Sequence, residues 1–212
     1  MRLPSRLAVA AAMIIAAGPA PAATLTVSKA ANAAAPEGLA TPIRALLAPG
    51  AARVQSGNTV LEFWWVKTLE APGADWAQVP EGALVGAVRV SESYPDVRGR
   101  RVKAGVYTLR FALQPMNGDH LGVSPNREFL LVSPAPVDDS PAPAGHDQTV
   151  DLSKQATGAS HPAVWAMDPP PAGADLFAPY TNDLGHEGVV FQVQTSSGPL
   201  TFGLVLVGKI EA

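Results

Sequence analysis

The chain reads as an all-β protein: an antiparallel β-sandwich in immunoglobulin-like or jelly-roll style, with one short N-terminal helix. Three observations lead there. Beyond Gly50, apolar residues alternate with a period of two in segment after segment, as side chains do along a strand. No helical pattern of ten to fifteen residues separates those segments, which argues against a parallel sheet with helical crossovers. Glycine (19) and proline (21) make up almost a fifth of the 212 residues. The usual share is about 12%, so many turns must separate short elements.

At the N-terminus, Arg2 and Arg6 precede an apolar run from Leu7 to Ala17, and Gly18-Pro19 breaks it before Ala20-Pro21-Ala22. Residues 1–22 therefore read as a secretory signal peptide. The run is too short for a membrane span, which needs about 20 apolar residues. The sequence thus predicts an exported protein without a membrane span, periplasmic or extracellular after cleavage near Ala22. Cleavage there removes two of the 15 basic side chains and none of the 18 acidic ones, so the mature chain is more acidic than its precursor.

Residues 23–50 read as an N-terminal strand, a linker and a short helix. The strand runs from Thr24 to Val27. In the helix Thr41 is placed to cap, Pro42 fits the first helical position, and Pro49-Gly50 ends the run. Leu39, Ile43, Leu46 and Leu47 would share its buried face.

Residues 51–212 form the sandwich domain, with seven to nine strands expected. Alternation marks strands at Val60–Lys67, Leu84–Val90, Val106–Leu113, Gly188–Thr195 and Leu200–Val207, with shorter ones at Glu128–Val132 and Ala163–Met167. Ser196-Ser197-Gly198-Pro199 is short enough to join two of these as a hairpin. Val205 and Val207 stand opposite Leu204 and Leu206, as in a strand covered on both faces. Ser133–Gln148, with four prolines and Asp138-Asp139, reads as a mobile loop. Asp168–Asp183, with Pro169-Pro170-Pro171, reads as a second irregular excursion.

Several chemistries are excluded. Without cysteine there is no disulfide, thiol nucleophile or Cys-ligated metal. The one basic cluster, Arg98, Arg100 and Arg101, falls in a turn, and nucleic acid would need a wider basic surface. No G-x-S-x-G elbow, Walker loop, Rossmann fingerprint, HExxH or EF-hand loop occurs. No cofactor, metal ligand or catalytic residue is therefore expected.

The candidate contact region joins two strands through the 14 residues Gln114–Arg127, where a hairpin needs about two to five. It carries Asn117, Asp119, His120 and Arg127. Asp119 and His120 could serve as metal ligands or as an acid/base pair. A turn built on Asn117-Gly118 and capped by Asp119 accounts for the same residues without chemistry. His161, beside another strand, is the partner His120 would need. Trp64 and Trp65 are consecutive on a strand, so one faces the core. The other is either exposed for stacking on a sugar or covered by a loop.

The stretches Val79–Val90 and Val102–Pro115, then Asn117-Gly-Asp-His120, Arg127–Leu131 and Gly158–Pro162, resemble a family of exported bacterial β-sandwich proteins with no assigned activity. The likeness spans roughly Phe63 to Pro162. It implies export and sandwich architecture and transfers no function.

The leading expectation is a non-catalytic module that binds an unknown protein or a small-molecule or carbohydrate ligand. Its contacts would be Asn117, Asp119, His120, Arg127, His161 and Trp64. The alternatives are a metal-assisted or general acid/base enzyme with a cupin-like site around His120 and His161, and a structural module of the cell envelope.

Overall fold

Alternating sequence becomes extended backbone in twelve strands of the computed structural model, which describes residues 25–116 and 124–209. In chain order the elements are β1 (Thr26–Ala30), α1 (Thr41–Leu46), β2 (Ala51–Ser56), β3 (Thr59–Trp65), a 3-10 turn (Trp76–Gln78) and β4 (Leu84–Val90). There follow β5 (Tyr94–Pro95), β6 (Arg101–Val102), β7 (Gly105–Leu113), β8 (Glu128–Pro134), α2 (His146–Thr157) and β9 (Val164–Asp168). The last are β10 (Pro179–Thr181), β11 (Glu187–Thr195) and β12 (Gly198–Val207). Ten strands form one sheet in the order β1-β2-β3-β4-β7-β8-β9-β12-β11-β10, with every pairing antiparallel.

The sheet curls onto its own apolar face. Phe63 and Trp65 of β3 meet Phe191 of β11 at ring-centroid distances of 5.2 and 4.9 Å, and Trp65 meets Phe202 of β12 at 5.4 Å. Leu69, just beyond β3, bridges to Thr195 of β11. Near the other end the Tyr94 hydroxyl bonds both Ser56 Oγ at the end of β2 and the Leu206 carbonyl of β12, at 3.0 and 2.9 Å. Strands β1 and β10 are left as the two edges. At that seam the Lys29 ammonium sits 3.9 Å from the centroid of the Phe177 ring.

Phe177 is the non-glycine residue with positive φ (66°) among those described, a conformation costing a bulky side chain about 1–2 kcal/mol. Its ring stands edge-on to Phe191, which ties it to the core.

The two consecutive tryptophans follow the strand alternation, yet neither offers a free ring. Trp65 enters the aromatic core. Trp64 faces the other way, but the connector after β1 covers it to 2% exposure and its indole N–H reaches the Ala33 carbonyl at 3.3 Å. The expected binding role of Trp64 is therefore corrected to packing.

Helix α1 begins one residue earlier than the sequence suggests. Ala40 holds the cap position without a side-chain hydrogen bond, and Pro42 lies in the first turn. Leu39, Ile43 and Leu47 are buried as expected, whereas Leu46 is 43% exposed.

A second helix, α2, was not expected. It is closed by Gly158 in the left-handed conformation at its C-terminus. Its buried residues are Thr149, Ser153 and Ala156, so it shows no apolar stripe. Small polar groups let it approach the sheet closely, and Ser153 Oγ lies 2.9 Å from the carbonyls of both Val132 and Ala163.

The proline-rich stretch ahead of α2 is also not a loose loop. It lies over the outer face of β7, where Arg110 is fully buried and Asp138 is 2% exposed. Arg110 Nε and Nη2 donate to Asp138 at 2.7 and 2.6 Å, Nη1 donates to the carbonyls of Gly82 and Ala142, and Nη2 also donates to that of Ser140. All five guanidinium N–H groups are thus used. Thr108 completes the arrangement by donating to Asp138. One arginine in a strand gathers a segment whose composition alone would leave it unfolded.

Candidate functional site

Of the sequence-predicted loop residues, Arg127 and His161 are described, and they lie apart. Asn117, Asp119 and His120 lie outside the described residues. Arg127 is exposed and donates from Nε to the Gln114 carbonyl at 3.1 Å, while Gln114 N–H donates to the Arg127 carbonyl at 2.8 Å. Arg127 therefore buckles the neck between β7 and β8. His161 is exposed and precedes β9, whose residue Val164 pairs with Leu131 well along β8. At about 3.3 Å per residue, the strand geometry places His161 at the opposite end of β8 from Arg127. Asp138 and Asp139 do not form a carboxylate pair either, because Asp138 is consumed by Arg110 while Asp139 faces solvent.

A different polar cluster forms on the outer face of β9 to β12. Along β9, Trp165 points into the core, so Asp168 projects from the opposite face. Its Oδ1 accepts from Asn126 Nδ2 at 3.1 Å. Its Oδ2 accepts from the Tyr180 hydroxyl at 3.0 Å and from Asn182 Nδ2 at 2.9 Å. Asn126 belongs to the neck beside Arg127, so the described flank of the expected contact region does reach this cluster.

Tyr180 gets there by lying across two strands. It starts on β10, passes over Gly188 of β11 and Gly203 of β12, and ends at Asp168 on β9. A Cβ added at Gly188 would stand 2.6 Å from Tyr180 ring atoms, and one at Gly203 would be closer still. Both glycines are needed because the ring occupies the space a side chain would take.

The ring is half-buried. Burial first, and then the nearby Asp168 charge, push the Tyr180 phenol far above the ordinary tyrosine value of 10.0. It therefore stays protonated and acts as a donor, not as a base.

Asn182 is itself fixed. Its Oδ1 accepts the backbone N–H groups of Leu184 and His186, both at 3.0 Å, which orients Nδ2 toward Asp168. Among the described residues no cation forms an ion pair with Asp168. Nor do those residues include a group of three or more His, Asp or Glu side chains placed to hold a metal ion.

Sequence reasoning passed over Asp168, Tyr180 and Asn182, because Asp168–Asp183 looked like irregular, proline-rich chain, and it did not single out Asn126 within the contact region. The available signal was the pair of glycines inside otherwise apolar strands, at positions 188 and 203. Interior strand glycines mark a close approach by another group.

A second surface feature lies on the outer face of β2, β3, β4 and β7, an open groove of about 440 Å³ bordered by Arg53, Glu62, Arg89 and Ser91. Cross-strand register sets Arg53, Glu62 and Arg89 in one row, and Arg89 bonds Glu62. The row neutralises itself in part and converges on no point in the groove.

No helix among the described residues is long and apolar enough to cross a membrane. No protein-family model matches the chain, and neither a curated protein nor a solved structure matches it.

Proposed function

We propose that this chain is an exported, non-catalytic binding module whose ligand is a saccharide held on the outer face at Tyr180. On this reading residues 1–22 are its export signal, and the curled sheet is a sandwich of jelly-roll or immunoglobulin style left open along the seam between β1 and β10. The observation that carries the reading is the Tyr180 ring laid on Gly188 and Gly203 with Asp168, Asn126 and Asn182 at its edge. A planar apolar ring flanked by a carboxylate and two amides suits a sugar. The ring meets the apolar C–H face, and the polar groups exchange hydrogen bonds with hydroxyls.

Tyr180 donates its hydroxyl hydrogen to Asp168 and so holds the ring in place for a ligand. The test is an oligosaccharide array, with neutral, acidic and amino sugars, probed with the mature chain. Retention on at least one class is expected, lost in Tyr180→Ala and kept in Arg53→Ala, which lies on the other part of the sheet. Retention that survives Tyr180→Ala would move the binding site elsewhere, and failure to retain any sugar would overturn the reading.

A further inference from the structure

Asp168 is the carboxylate of the platform, and among the described residues no cation compensates it. Three neutral donors approach it, from Asn126, Tyr180 and Asn182. Among the described residues no cation pairs with it. A carboxylate offers about four acceptor sites. Oδ2 uses two of them on Tyr180 and Asn182, and Oδ1 uses one on Asn126, so among the described residues Oδ1 has one acceptor site left for a ligand.

The donors also hold the carboxylate still. Tyr180 is pinned by the two glycines and Asn182 by two backbone N–H groups. Among the described residues the arrangement is fixed for a cationic partner that none of them supplies. A fixed, half-buried carboxylate with a vacant acceptor site gives a charge-assisted hydrogen bond stronger than a neutral one.

From this geometry we infer that the platform selects saccharides bearing a protonated amine, with the ammonium seated on Asp168 Oδ1. The inference rests on the saccharide reading above and adds the class of sugar. A divalent metal is a poorer fit, because calcium takes six to eight oxygen ligands and magnesium about six. Among the described residues Asp168 is the sole carboxylate in the cluster, and two of its neighbours present N–H groups, not oxygens, toward it. An ammonium ion has three N–H donors and one charge, which a single carboxylate and a few sugar-level contacts satisfy.

The experiment is calorimetric titration of the mature protein, at mildly acid pH, with a chitosan tetramer and with its fully N-acetylated counterpart. The two share a backbone and differ in the amine. The chitosan tetramer is expected to bind about ten- to a hundredfold more tightly. That preference should shrink as salt is raised, since the amine lies in a partly solvated site. In Asp168→Asn the two tetramers should bind alike. The salt series uses the unmodified protein, so the inference stays testable even if Asp168→Asn fails to fold.

Equal binding of both tetramers to the unmodified protein, at all salt concentrations, would overturn the amine inference and leave the saccharide reading standing. A preference for the chitosan tetramer that persists in folded Asp168→Asn would place the ammonium elsewhere and overturn it too. Binding of neither, with the oligosaccharide array also blank, would remove the saccharide reading itself.

Discussion

Asp138 and Asp168 both sit on the outer face of the same sheet and are both held by hydrogen bonds, but they have been put to different uses. Asp138 belongs to the proline-rich strap and is buried against β7, where Arg110 meets it with a bidentate contact whose every remaining N–H is also bonded. Asp168 is half-exposed and is held by donors that carry no charge. A buried carboxylate must be neutralised where it stands, because an isolated charge cannot be left in a dry site. A half-solvated one can remain open. The first arrangement is a fastening that leaves nothing for a ligand. The second is fixed from three sides by neutral donors, with no cation among the described residues to meet it.

The sharpest way to break that contrast is to remove one member of the buried pair. Arg110→Met should lower the unfolding free energy by about 3–5 kcal/mol in urea titration, since it strands Asp138 in an apolar setting. Replacing both Arg110 and Asp138 by apolar residues should recover much of that loss. If the single and double variants prove equally unstable, charge burial is not what fastens the strap.

Gly203→Ala should come next, at about 1–3 kcal/mol, because the added Cβ collides with Tyr180 and drives the ring off the sheet. Sugar binding should fall with it. A variant with unchanged stability and unchanged binding would show that the ring does not need the glycine bed.

Asp168→Asn should cost only about 1 kcal/mol, as expected for hydrogen bonds rearranged near solvent. Its main effect should be on ligand selection. A loss as large as that of Arg110→Met would erase the distinction between the two carboxylates.

The last effect is nil at neutral pH. Burial raises the phenol values of Tyr94, Tyr107 and Tyr180, all three tyrosines in the chain. For a group whose value is raised by folding, the stabilisation is complete below the unfolded value and is lost as pH rises through the folded one. Stability should therefore decline above pH 10, where the unfolded chain releases phenol protons that the native state retains. Tyrosinate absorbance should then appear together with unfolding, and in Tyr180→Phe the decline should be shallower. Three independent titrations near pH 10 with the fold intact would contradict the buried environments.

The strands were the most readable part of the sequence. Leu84–Val90 is β4 residue for residue, and the expected segments around Phe111, Phe191 and Phe202 became β7, β11 and β12. There, large apolar side chains recur every second residue, and the core sorts them by face. Strand β2 was missed because Ala52, Val54 and Ser56 are small and give a weak alternation. Helix α2 was missed for a related reason, since its buried face is threonine, serine and alanine. The strap was misjudged because its order comes from Arg110, a residue some thirty positions earlier that local composition does not register. The Asp168 cluster joins residues from β9, β10, the turn after β10 and the neck before β8, so no short window of sequence contains it. Local pattern is legible where a segment's own side chains supply its burial. It fails where distant groups do.

The seam between β1 and β10 bears on how the chain reaches its native state. Most strands pair with a neighbour close in sequence, so the sheet can assemble by successive hairpins whose loop-closure cost is modest. The meeting of Lys29 with Phe177 joins one end of that series to the other and can form only after the intervening strands have curled. It belongs to the final step of folding. Weakening it should leave the folding rate almost unchanged and speed unfolding instead, so that this cation and ring set how long the finished fold lasts more than how quickly it is made.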